Sequence, residues 1–186
     1  MHYLKLAIKD VFSSLPNNEK ILHGFTLAWV LFQILSSGLM HVSHHGRWDN
    51  ISTLDLIHIY SGILLLPLSL IFMTIVIKRR KFNDLFPWVF KDFHQLRLDL
   101  MLLKQRKLPP AHPKGLAAIV EGLGILALLM ALLTGLLWFI TIKAGSDASL
   151  LLSIHKSSVG LIETYFYAHG FMGLLHIFFA WKKVKN

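Results

Sequence analysis

Histidine is the residue type in this chain with chemistry to offer. Five of the 11 histidines, His23, His58, His155, His169 and His176, fall within or at the ends of long apolar stretches. The other six, His2, His41, His44, His45, His94 and His112, fall in arms and loops, where a solvated histidine needs no further explanation. An ionisable side chain inside an apolar segment is costly and marks a site of function. A neutral imidazole there can bond a metal, move a proton or satisfy a polar neighbour. Cysteine is absent. That excludes disulfides, thiolate iron–sulfur clusters, zinc ribbons and haem attached through Cys-x-x-Cys-His.

The elements that must position these histidines are apolar and long. Of the 186 residues 54% are hydrophobic and 16% charged, and the mean hydropathy is +0.56. This excludes intrinsic disorder as a reading of the whole chain. A bilayer core needs about 20 apolar residues per helix. Four segments qualify, at about 21–40, 56–77, 116–142 and 154–181. The spacing predicts an all-α fold, an integral membrane four-helix bundle forming one domain over residues 1–186. A further amphipathic helix, about 91–107, is expected on the cytoplasmic membrane surface between the second and third segments. It is ended by Pro109, Pro110 and Pro113. The first segment is too apolar for too long to read as a cleaved signal peptide.

Charge gives the orientation. All but Arg47, Lys143 and Lys156 of the 19 lysines and arginines lie in the N-terminal arm, the loop between segments two and three, or the tail. Those parts are expected in the cytoplasm, with both termini, across a bacterial inner membrane. The net charge of +9 is then a topology signal and a match for anionic lipid headgroups, not a nucleic-acid footprint.

His155 and His169 are fourteen residues apart on the fourth segment. In a helix this is about 21 Å of rise and 40° short of four full turns. Both rings leave one face, near opposite sides of the bilayer. By depth, His58 at the outer start of segment two meets His155, and His23 at the inner start of segment one meets His169. Two histidines facing each other from neighbouring helices are what a bis-histidine b-type haem requires. The expectation is two non-covalent b haems with His23, His58, His155 and His169 as axial ligands to iron. Gly24, Gly62, Gly160 and Gly173 lie beside these ligands and leave room for a planar macrocycle. His176, seven residues past His169 on the same face, competes with it as the inner ligand or reaches a propionate or the headgroups.

Other polar residues carry weaker readings. Lys156 and Arg47 are candidates for haem propionate contacts. Glu163 lies mid-segment, 80° from the ligand face, with Tyr60 as a candidate partner. Trp48, Trp88, Trp138 and Trp181 read as interface anchors. His41, His44 and His45 have helical i, i+3, i+4 spacing but no carboxylate within the cluster, which points to a partner surface or a solvated helix end before a metal site.

The chain resembles the bacterial cytochrome b561 family, which is related to the dihaem cytochrome b subunits of nickel–iron hydrogenases, formate dehydrogenases and thiosulfate reductases. The resemblance lies in Ile21-Leu-His-Gly24, in Asp55-Leu-Ile-His-Ile-Tyr-Ser-Gly62, and above all in Ile154-His-Lys-Ser-Ser-Val-Gly160 followed by Tyr167-Ala-His-Gly170. It implies a bundle with two b haems on the same four histidines, exchanging electrons with quinone and a partner protein. The loop Leu108-Pro-Pro-Ala-His-Pro-Lys-Gly115 is similar to the loop bordering the quinone site in the formate dehydrogenase subunits, without its polar Asn and Gln positions. By that likeness His112, Lys114 and Glu121 are the quinone-site candidates. Some relatives have a histidine early in the third helix. Here Glu121 and Gly122 stand there.

The function expected is electron relay across the membrane between a quinone pool and a periplasmic redox protein, such as a c-type cytochrome or a dehydrogenase-like subunit. One alternative is a stand-alone oxidoreductase exchanging electrons between quinone and a small molecule such as superoxide. Only three outer cations are present to steer an anion. Another is a haem-free membrane anchor, which predicts no visible absorption.

Overall fold

The computed structural model describes residues 2–13, 15–40 and 51–185. Among them every regular element is a helix: α1 (His2–Val11), α2 (Asn17–Ser37), α3 (Thr53–Arg80), the single turn α4 (Phe82–Leu85), a 3-10 turn (Pro87–Phe90), α5 (His94–Lys104), α6 (Leu116–Lys143) and α7 (Ser149–Lys185). Three of these, α2, α3 and α6, are long and apolar enough to cross a membrane. The fourth long helix, α7, has 37 residues, about 55 Å of rise. It is long enough to cross, but its charged residues and histidines dilute its hydropathy.

Local chemistry starts the helices where the site needs them. Ser52 and Asp55 form a capping box at the head of α3: Asp55 N–H donates to Ser52 Oγ at 3.2 Å, and Ser52 N–H to Asp55 Oδ2 at 2.9 Å. This fixes His58 in the first turns of the helix. The head of α6 has Gly115 and no cap of its own. Asp99 of α5 serves instead, accepting from Leu116 N–H at 2.7 Å and from Gln95 Nε2 at 2.9 Å. Asp99 is buried, so Asp99→Ala orphans a buried helix-end donor. The expected cost is about 1–2 kcal/mol, read as a lower unfolding midpoint in detergent.

The packing order is α2 on α3, α3 on α6, and α6 on α7, with α1 laid against α7. Gly124, Ala127, Ala131 and Gly135 form a small-residue stripe on α6 that lets α7 approach closely. Apart from α6 and α1, α7 makes few close backbone approaches to the other helices. Its backbone stays more than 8 Å from α2 and α3 almost throughout. The buried side chains form three layers. The layer at the His155 end, termed outer, holds Ile59, Trp138, Ile142, Ala148 and Leu152. The middle one holds Ala127, Ala131 and Ile162, against Val30, Ile34 and Val159. The layer at the opposite end, termed inner, holds Val76, Leu85 and Phe86.

Several expectations are corrected. The surface helix runs His94–Lys104, not 91–107, because Lys91 adopts a left-handed φ of 56° and closes the preceding 3-10 turn, and Arg106 does the same at 58° beyond the other end. The helices extend past the apolar segments: α7 starts at Ser149 and α3 starts at Thr53 and ends at Arg80. Trp138 is no interface anchor. It is 6% exposed in the outer core layer. Helix α1 was not foreseen in the N-terminal arm. Leu4, Ile8, Val11 and Phe12 repeat at helical spacing there and are the signal that finds it.

Candidate functional site

The structure brings together two pairs of histidines across the gap between α7 and its neighbours. His58 of α3 faces His155 of α7, with ring centroids 6.4 Å apart. His23 of α2 faces His169 of α7 at 6.1 Å. A metal–imidazole bond is about 2.0 Å, and a ring nitrogen lies about 1.15 Å from its centroid, so linear ligation by two histidines separates the centroids by roughly 6.3 Å. Both pairs stand at that separation. His176, one candidate for the inner ligand, makes no ring contact with His23 among the described residues.

Hydrogen bonds set the tautomers of the outer pair. His155 Nδ1 lies 2.8 Å from the Ala131 carbonyl oxygen, which can only accept. The proton is therefore on Nδ1, and the Nε2 lone pair is free. His58 Nδ1 lies 2.9 Å from Ser36 Oγ. That hydroxyl donates to the Gln33 carbonyl at 3.1 Å, so it accepts from His58. A metal-ligating histidine characteristically donates its other ring N–H to such an acceptor, which orients the ring and raises its basicity. Gly135 is what lets His155 sit so close to α6, since a Cβ there would lie 3.0 Å from His155 Cε1. At the inner pair, Tyr165 stacks on His169 with centroids 5.1 Å apart and planes at 18°, and Phe72 meets the edge of His23 at 5.9 Å.

A cavity of about 380 Å³ opens along the outer pair. Its walls include His58, His155, Gly62, Gly135, Lys156 and Glu163. The space beside Gly24, Gly160 and Gly173 is open. At Gly62 the Gln33 side-chain amide is near instead, and a Cβ there would lie 3.6 Å from Gln33 Oε1. The apposed imidazoles, and the cavity beside His58 and His155, have the chemistry and room that a b-type haem needs.

The remaining candidates separate. Lys156 lines the cavity, as a propionate partner would. Arg47, the His41, His44 and His45 cluster and Trp48 lie outside the described residues. Glu163 makes no hydrogen bond to Tyr60, whose ring packs on Phe139. Lys114 Nζ pairs with Asp92 at 2.9 Å, which holds that carboxyl below the usual carboxylate range. His112 is exposed in the loop. Glu121 lies 2.8 Å from Arg80 Nε and 3.7 Å from Arg79. The Arg79 guanidinium also grips the buried Glu19 in a two-pronged contact, with Nε at 2.6 Å. Sequence reasoning singled out Glu121 but missed Glu19 and its pairing with Arg79. It also missed Ser36, Gln33, Gly135, Gly124 and Tyr165. Of these, Gln33 and Ser36 were findable as polar residues inside an apolar segment.

An all-helical protein with membrane-crossing helices, no cysteine, and histidines apposed across an open gap has the build of a membrane b-type cytochrome. The chain belongs to the prokaryotic cytochrome b561 family, whose model matches residues 16–185. It is thus a membrane cytochrome of electron transfer, from a family that binds b-type haem. No curated protein and no solved structure matches the chain.

Proposed function

We propose that the chain carries two b haems and relays electrons across the bacterial inner membrane, between a quinone pool and a periplasmic redox protein. The observation that supports this is the pair of histidine separations, 6.4 Å and 6.1 Å, at two levels of one helix about 21 Å apart. His58 and His155 are the outer ligands, and His23 and His169 the inner. In this reading α7 spans the membrane as the fourth helix of the bundle, and both termini are cytoplasmic. Haem, when bound, supplies reversible one-electron oxidation and reduction at its iron.

The chain's own residues do the rest. Ser36 and the Ala131 carbonyl hold the outer imidazoles with Nε2 presented. The middle layer of Ala127, Ala131 and Ile162 stands between the two levels with apolar side chains. Lys156, which lines the cavity, would pair with a haem propionate at the outer level. The quinone end is assigned to the cytoplasmic side, where His112, Lys114 and Glu121 stand around the head of α6. Exposed Phe93, Leu98, Leu100 and Met101 rest the α5 region on lipid.

The test is a reduced-minus-oxidised spectrum with haem-to-protein stoichiometry on the detergent-purified chain, followed by addition of a quinol. Two b haems per chain, reduced by quinol, is the expected result. One haem per chain would remove the two-level relay, and none would remove the cytochrome reading of these residues.

A further inference from the structure

The two histidine pairs are held by different means. Both outer rings are tied at Nδ1, His58 by Ser36 and His155 by the Ala131 carbonyl. Among the described residues neither His23 nor His169 has a hydrogen-bond partner. The terminal torsion of histidine is broad, so something else must fix the plane of an inner ring.

We propose that Tyr165 is a positioning residue for the inner centre, setting the plane of His169 by stacking, with Gly124 as the seat that holds the tyrosine. Tyr165 precedes His169 by four residues, so the two rings stand on one face of α7. Their planes are within 18° and their centroids 5.1 Å apart. Tyr165 is itself fixed. It lies between α7 and α6 against the buried Gly124, where a Cβ would run into the phenol ring. The chain of contact runs from the small-residue stripe of α6 through one aromatic ring to the imidazole. The ring does this work, not the hydroxyl, so phenylalanine should replace it. Among the described residues no aromatic ring stacks on His155 in this way, which leaves the outer centre as an internal reference.

This inference rests on the reading that His169 is an axial ligand, so His169→Ala is measured alongside. The readouts are the low-spin electron paramagnetic resonance signals of the oxidised protein, which respond to the orientation of the axial imidazole planes, and the two midpoint potentials. Tyr165→Leu is expected to displace and broaden the inner signal and shift the inner potential, with the outer signal and potential unchanged. Tyr165→Phe is expected to match the wild type, and Gly124→Ala to reproduce the leucine variant. An inner signal unchanged in Tyr165→Leu would overturn the proposal. So would a phenylalanine variant as disturbed as the leucine one, or a disturbance spread equally to the outer centre. Survival of the inner signal in His169→Ala would instead overturn the ligand assignment, and the proposal with it.

Discussion

Replacing His155 with alanine is expected to remove one of the two proposed haems and leave the other spectroscopically intact. His155 is the α7 side chain that faces His58, at a ring separation set for a shared metal. Its removal leaves His58 opposite a space, with the open α7–α3 gap unable to close because α7 is braced on α6 along the small-residue stripe. A bis-histidine site that loses one ligand loses the low-spin character of its spectrum and most of its hold on a non-covalent group. The inner pair is fourteen residues away and shares no contact with His155, so its signal serves as the fold control. Haemochrome content and low-temperature spectra of the purified variant make the check. Full haem content with an unchanged spectrum would mean that His155 is not a ligand.

The second large effect belongs to Arg79. Glu19 is 3% exposed and Arg79 26%. Glu19 receives both arms of that guanidinium where the N-terminal end of α2 meets the C-terminal end of α3. Arg79→Ala strands a buried carboxylate, while Glu121 keeps Arg80. Removing one partner of a buried pair costs roughly 3–5 kcal/mol, and the partial exposure of Arg79 places this case at about 3 kcal/mol. Glu19 lies one turn before His23, so the loss should loosen the inner haem before the outer one. Thermal unfolding in detergent and the retained haem fraction test this. Removing the charge on both sides, as in Glu19→Gln with Arg79→Gln, should restore most of the stability. An Arg79→Ala protein that unfolds with the wild type would show the pair to be dispensable.

The helices and the histidine pairing were legible in sequence for a single reason: both depend on period and length. Four apolar runs and a fourteen-residue step need no knowledge of neighbours. What escaped depends on contact. The acceptor for His155 is a backbone carbonyl, which every residue has, so no residue type announces it. Gly124 and Gly135 looked like other membrane glycines until Tyr165 and His155 were found against them. Trp138 has the composition of an interface anchor, and only the meeting of α3, α6 and α7 buries it. Glu19, Arg79 and Glu121 are far apart in sequence, and the ends of three helices bring them together. The length of α5 turned on two left-handed residues, Lys91 and Arg106, whose side chains give no hint of that conformation.

Helix α7 contributes one histidine to each level, and α2 and α3 contribute one each to separate levels. On the two-haem reading proposed above, the interval between the two electron stations is therefore written into a single unbroken rod, not into the fit of one helix against another. Breathing of α2 or α3 disturbs one station and leaves the interval alone. Electron tunnelling falls steeply with distance, so a helical rod carrying both stations makes the crossing rate insensitive to the looseness that a lipid-embedded bundle tolerates elsewhere.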